Sequence, residues 1–107
     1  MRKSYDEYKL DNLIKWNPKR SPIAIKRAMD CTDDWFEKNG FYIEMTGGNC
    51  TAYAYAISAT HTLLVTDTDG VDEPVFMDED IFVGCYDEEG YDQGCIQMNL
   101  ADFMEVW

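Results

Sequence analysis

Up to Gly40 the apolar positions recur at helical spacing, and beyond it they alternate. Ser4-Tyr5-Asp6-Glu7 has the spacing of a capping box, and Leu10, Leu13 and Ile14 follow on one stripe, which predicts a first helix running to about Trp16 and stopped by Pro18. Ser21-Pro22 starts a second helix as N-cap plus first-turn proline, with Ile25, Ala28, Met29, Thr32 and Phe36 on one face and Asn39-Gly40 at its end. Thr32, followed by Asp33 and Asp34, is also placed to cap a separate short helix, so a break near Cys31-Thr32 is an alternative.

In the second half Phe41, Ile43 and Met45 alternate with Tyr42, Glu44 and Thr46, and Gly47-Gly48-Asn49 is a turn. The return strand, Cys50 to Ile57, sets Thr51, Tyr53, Tyr55 and Ile57 against the small residues Cys50, Ala52, Ala54 and Ala56. That small face predicts close approach of a helix. Strands are expected at Thr62 to Thr66, Ile81 to Tyr86 and Tyr91 to Met98, with a long acidic loop over 67–80 and a turn at Asp87-Glu88-Glu89-Gly90. A three-residue hairpin loop of Glu88, Glu89 and Gly90 pairs Cys85 with Gln93 and Val83 with Cys95. Asn99 caps a closing helix in which Leu100, Phe103, Met104 and Trp107 share a face. The expectation is one α+β domain over 1–107. It comprises a helical arm (1–39), an antiparallel meander of about five strands (40–98) and a short C-terminal helix (99–107), with the helices on one face of the sheet.

Charge changes this picture more than composition does. All nine lysines and arginines lie at or before Lys38, alongside seven carboxylates, whereas residues 39–107 hold fourteen carboxylates and no lysine or arginine. The net charge of −12 repels nucleic acid, anionic membranes and phosphorylated substrates and attracts proteins that hold polyanions. With 46% apolar and 14% aromatic residues the chain is too hydrophobic for an acidic disordered segment, so the charge belongs on a folded surface. No apolar leader or span of about 18 residues is present, and a cytoplasmic protein is expected. In that setting Cys31, Cys50, Cys85 and Cys95 are expected as free thiols.

The candidate chemistry is sparse. Cys50, after a glycine-rich turn, and His61 are the components of a thiol nucleophile and its base, but the alternation around Cys50 reads as a small core position at a strand start. Asp67-Thr68-Asp69-Gly70 looks like part of a calcium loop. Placing Gly70 at the sixth position of that loop puts Val65 first and Phe76 twelfth, where carboxylates are required. Tyr53 and Tyr55 would suit base stacking only beside positive charge, which this half lacks; sheet packing or a protein contact is the reading. No catalytic residue, metal ligand or cofactor is assigned.

The series Thr46-Gly47-Gly48-Asn49-Cys50-Thr51-Ala52, Leu64-Val65-Thr66-Asp67 with Asp69-Gly70, and Val83-Gly84-Cys85-Tyr86-Asp87 resembles small acidic proteins encoded by bacteriophages, generally of unassigned function. The resemblance covers roughly residues 40–90 and implies a setting, the host cytoplasm, where such proteins often block defence enzymes that bind DNA or RNA. The expected function is therefore an inhibitor of the anti-CRISPR or anti-restriction type, a monomer or homodimer that presents carboxylates where phosphates would lie. Its partner is a basic nucleic-acid-binding protein, with no direct contact to nucleic acid or membrane. The expected contact residues are Asp67, Asp69, Asp72, Glu73, Asp78, Glu79 and Asp80 at one end of the sheet and Asp87, Glu88, Glu89 and Asp92 at the other. An immunity protein against a basic nuclease toxin would use the same physics, and a small cysteine- or metal-dependent enzyme is the competing class.

Overall fold

The computed structural model describes residues 15, 19–48 and 50–107. The helix expected over residues 4–16 lies outside them apart from Lys15, which is helical. The described elements are α1 (Pro22–Lys38), β1 (Tyr42–Gly47), β2 (Cys50–Ala56), β3 (His61–Asp67), β4 (Asp80–Asp87), β5 (Asp92–Asn99) and α2 (Leu100–Val106). The five strands form one antiparallel sheet in sequence order, so the α+β meander expected from the pattern is the observed fold.

Both helix starts follow their local chemistry. The Ser21 hydroxyl accepts from the Ala24 amide at 3.2 Å with Pro22 in the first turn, and the Asn99 side chain accepts from the Ala101 amide at 3.0 Å. Helix α1 has no break at Thr32. The buried Thr32 hydroxyl shares its one proton between the carbonyl of Ala28, 2.8 Å away, and that of Val75, so it serves the helix and the long loop rather than a new N-cap.

Tyr53 decides which side of the sheet is covered. Its ring stacks on Phe36 at 4.0 Å between centroids, and Val65, Val83, Ile81, Leu100 and Phe103 complete the buried cluster beneath α1 and α2. The helices therefore lie on the large-residue face of β2. Helices α1 and α2 take this face rather than the alanine face because it has far more apolar surface to remove from water, while Ala52 and Ala54 on the opposite face are also fully buried. Across the covered face runs the row Ile43, Tyr53, Val65, Val83, Ile96, in which the middle three are buried while Ile43 and Ile96 remain 56% and 59% exposed. Two short helical packings thus shield about three strands of five. Phe41, expected on the same strand face as Ile43 and Met45, precedes β1 and is buried against Phe36, Trp107 and Tyr55.

The long loop 68–79 is fastened rather than free. Val75 and Phe76 pack against Ile25 and Met29 in a second buried cluster, and the Arg20 guanidinium sits 4.0 Å from the Phe76 ring centroid while bonding both Asp78 carboxylate oxygens at 3.0 and 3.2 Å. Backbone bonds from Thr51 to the Val71 carbonyl (2.8 Å) and from Leu100 to the Glu79 carbonyl (2.9 Å) tie its two ends to β2 and α2.

The β4–β5 hairpin has the expected loop, closed by the bond from the Asp87 amide to the Tyr91 carbonyl at 3.1 Å, with Gly90 at φ +87. Its register departs beyond Tyr86↔Asp92, because Gln93 is bulged and Gly94, at φ +140, takes the place opposite Cys85. The Asp92 carboxylate holds the bulge by accepting from the Gly94 amide at 2.7 Å. Cys95 then pairs with Gly84 instead of Val83, and Cys85 and Cys95 point to opposite faces.

Phe36→Ala is expected to cost about 3–5 kcal/mol in urea unfolding, the range for an emptied aromatic core site, while Ile43→Ala on the uncovered edge changes stability by less than about 0.5 kcal/mol. A disulfide between Cys85 and Cys95 is ruled out by their opposed faces. Alkylation of the unfolded protein without reductant should label both, and failure to do so would contradict the bulge.

Candidate functional site

Strand direction sets the layout of the carboxylates. The turn after β1, the end of β3 and the start of β4 share one end of the sheet, so the loop containing Asp67, Asp69, Asp72, Glu73, Asp78, Glu79 and Asp80 lies beside Gly47-Gly48. Asp87, Glu88, Glu89 and Asp92 lie at the other end, one length of β4 away, roughly 23 Å. The sequence thus named two clusters, and the topology separates them.

Burial and bonding then divide the eleven residues into those that hold the fold and those that face outward. Glu73 is buried, at 2% exposure. Glu79 is half-buried and its carboxylate accepts from the Phe76 amide at 3.1 Å. Asp78 is exposed but ion-paired to Arg20. Asp87 closes its turn by accepting from the Glu89 amide at 3.0 Å, the Tyr91 amide at 2.9 Å and the Gln93 side chain at 3.1 Å. Asp92 holds the bulge. Asp67 is half-buried and accepts from the Val71 amide at 3.2 Å; burial is the largest influence on it and pushes its carboxyl above the ordinary value of 3.8, against the lowering effect of its backbone bonds. Asp72 is half-buried, and its carbonyl accepts from the Asp67 amide at 2.8 Å. Asp69, Asp80, Glu88 and Glu89 are exposed, and their side chains are not committed to any turn.

A feature that charge counting missed lies between the clusters. The face opposite α1 and α2 carries a half-enclosed groove of about 610 Å³, which among the described residues runs from Thr46 and Gly70 at one end to Asp87 and Glu88 at the other. Its floor comes from Leu64, Phe82, Gly84 and Tyr86, and Glu44 stands on its wall. Across this face the strand registers bring Tyr42, Ala54, Leu64, Gly84 and Cys95 into one row. A Cβ at Gly84 would fall 2.8 Å from the Tyr86 ring, so glycine is what lets that ring lie down on the floor. Burial, with Asp92 and Cys95 secondary, pushes the Tyr86 phenol above its ordinary value of 10.0. The signal for this site was the small face of residues 50–56, read as room for the chain's own helix.

The other candidates do not assemble. Cys50 begins β2 and His61 begins β3, at opposite ends of the sheet, so the two are no nucleophile–base pair; His61 Nδ1 instead lies 2.8 Å from the Thr60 hydroxyl. Tyr53 is core, stacked on Phe36 and bonded to Asp33. Among the described residues no three histidine, cysteine or carboxylate side chains converge as metal ligands, and no helix is long and apolar enough to cross a membrane. No known family model matches the chain, and neither a curated protein nor a solved structure does.

Asp67→Asn keeps an oxygen for the Val71 amide and removes the half-buried charge. A carboxyl with a raised folded value costs stability when ionised and nothing when protonated in both states. The variant should therefore be more stable than the parent at pH 7, with the difference shrinking on acidification and gone below pH 3.8, as thermal unfolding across that range will show.

Proposed function

We propose that the chain is a non-enzymatic inhibitor that binds a basic, nucleic-acid-binding protein and covers surface the nucleic acid would occupy. The observation that carries this reading is the one-signed stretch of residues 39–107, which holds fourteen carboxylates and no lysine or arginine and exposes Asp69 and Asp80 at one end of the sheet, Glu88 and Glu89 at the other and Glu44 between. The resemblance to small acidic phage proteins supports a role against a host defence complex such as a restriction or CRISPR enzyme, in the bacterial cytoplasm.

Density decides how such contact works. Along the roughly 23 Å of β4 a DNA duplex would present about fourteen phosphates. The uncommitted carboxylates are far fewer, since Asp67, Asp78, Asp87 and Asp92 already serve the protein's own turns and ion pair. Charge-for-charge imitation of a duplex is therefore the weaker form of the idea. A few ion pairs at the two ends, steering a partner onto a shaped surface, is the stronger one.

Tagged protein should capture from a bacterial lysate a nucleic-acid-binding protein that duplex DNA displaces. The complex should weaken by a factor of ten or more between about 0.1 M and 1 M salt, as the Debye length falls from about 10 Å to 3 Å. Glu88→Lys with Glu89→Lys should weaken it by a similar factor, whereas Lys19→Glu with Lys26→Glu should change little. Asp87 is left intact because its loss would open the turn. Binding indifferent to salt, to DNA and to the Glu88 and Glu89 reversals would mean that the carboxylates serve solubility alone.

A further inference from the structure

We infer that Glu44 is the residue that keeps the chain from joining a second copy of itself edge to edge along β1, an inference about assembly that does not depend on the proposed partner. Strand β1 is an edge of the five-stranded sheet, bonded among the described strands to β2 alone, and all six of its residues are exposed. Tyr42, Ile43 and Met45 are 49%, 56% and 70% exposed, and Glu44 is the one charged residue of the strand. An open edge rich in such β-prone apolar residues is a template for another strand. The opposite edge, β5, is blunted differently: its bulge at Gln93 bends it away, and Asp92 holds that bulge.

The register of such a pair is what gives Glu44 its effect. Two copies related by a two-fold axis perpendicular to the sheet pair antiparallel, with the axis passing beside one residue of β1 and opposed side chains sharing a face. An axis at Met45 draws the irregularity between Met45 and Gly47 into the middle of the pairing. An axis at Ile43 sets Met45 against Phe41, which precedes the strand and is buried in the core. An axis at Glu44 keeps all five opposed positions, 42–46, within the strand, and Ile43 meets Met45 of the copy twice. In that register Glu44 faces its own copy with Cβ atoms about 5 Å apart. Like charges directly opposite disfavour a pair, here between two chains that each carry a net charge of −12. One side chain thus closes the register that the rest of the strand favours.

The test is sedimentation equilibrium of the full chain, comparing the parent with Glu44→Val, Glu44→Gln and Glu88→Val, the last of which removes one charge away from β1. The parent and Glu88→Val should stay monomeric. Glu44→Val should dimerise at least tenfold more tightly than either, and Glu44→Gln, which keeps the shape and drops the charge, should move the same way by a smaller factor. Amides 42–46 should gain hydrogen-exchange protection in the dimer. Adding Ile43→Lys to Glu44→Val should restore the monomer, since a lysine guards an exposed edge. All three substituted positions are exposed, and a folded spectrum is required of each variant. A monomeric Glu44→Val overturns the inference, as does a parent that already dimerises through 42–46. Equal association of Glu88→Val overturns it because net charge alone would then set the assembly. Association of Glu44→Val that survives Ile43→Lys overturns it too, because the contact would lie away from β1.

Discussion

The stack of Phe36 on Tyr53 is the contact on which the rest of the molecule depends, because β2 is the one strand whose two faces differ most in size. Burying Tyr53 under α1 commits every strand paired to β2 through its register: Val65, Val83 and Ile81 turn inward, and Leu64, Gly84 and Phe82 turn outward. A one-residue slip would exchange the two sets. Phe41, Phe103 and Trp107 then pack around the stack at centroid separations of 5.0 to 6.4 Å, and α2 is held where it can close the core.

The acidity serves two purposes that a count of charges does not separate. One group of carboxylates builds the connections: Asp87 and Asp92 shape the hairpin, Asp67 and Glu79 hold the long loop, and Asp78 pins that loop to Arg20. These roles favour short acidic side chains because an ionised oxygen accepts backbone amides more strongly than a neutral one. The other group, at Glu44, Asp69, Asp80, Glu88 and Glu89, is exposed and has no such duty; in the proposed function it sets the field that a partner would meet. Arg20 and Lys38 are engaged with Asp78 and Asp34, which leaves the basic arm's described charge partly neutralised within the chain itself.

Strand order and helix ends were legible because they rest on local chemistry: Ser21-Pro22, Asn39-Gly40 and Asn99 act where the sequence places them, and the change of period at Gly40 marks the start of the sheet. What the sequence did not reveal depends on contacts between distant residues. Which face α1 and α2 would take was not legible, because both faces of β2 can receive a helix and only the competition for the large apolar side settles where these two lie. The continuity of α1 through Thr32 needed the Val75 carbonyl, 43 positions away. The bulge at Gln93 needed the Asp92–Gly94 bond, which no alternation pattern contains. The eleven candidate carboxylates were located at the correct ends of the sheet, yet which of them are spent on turns became visible only with the loops in place.

The central claim is that the partner meets the two acidic ends of the sheet rather than α1 and α2. Hydrogen exchange of the complex formed with a DNA-displaceable partner, compared with the free chain, tests it most directly. The account predicts protection gained in the turn 87–90 and in the loop 67–72, with α1 and α2 unchanged. Protection gained on α1 or α2 while the acidic ends exchange as in the free protein would contradict it.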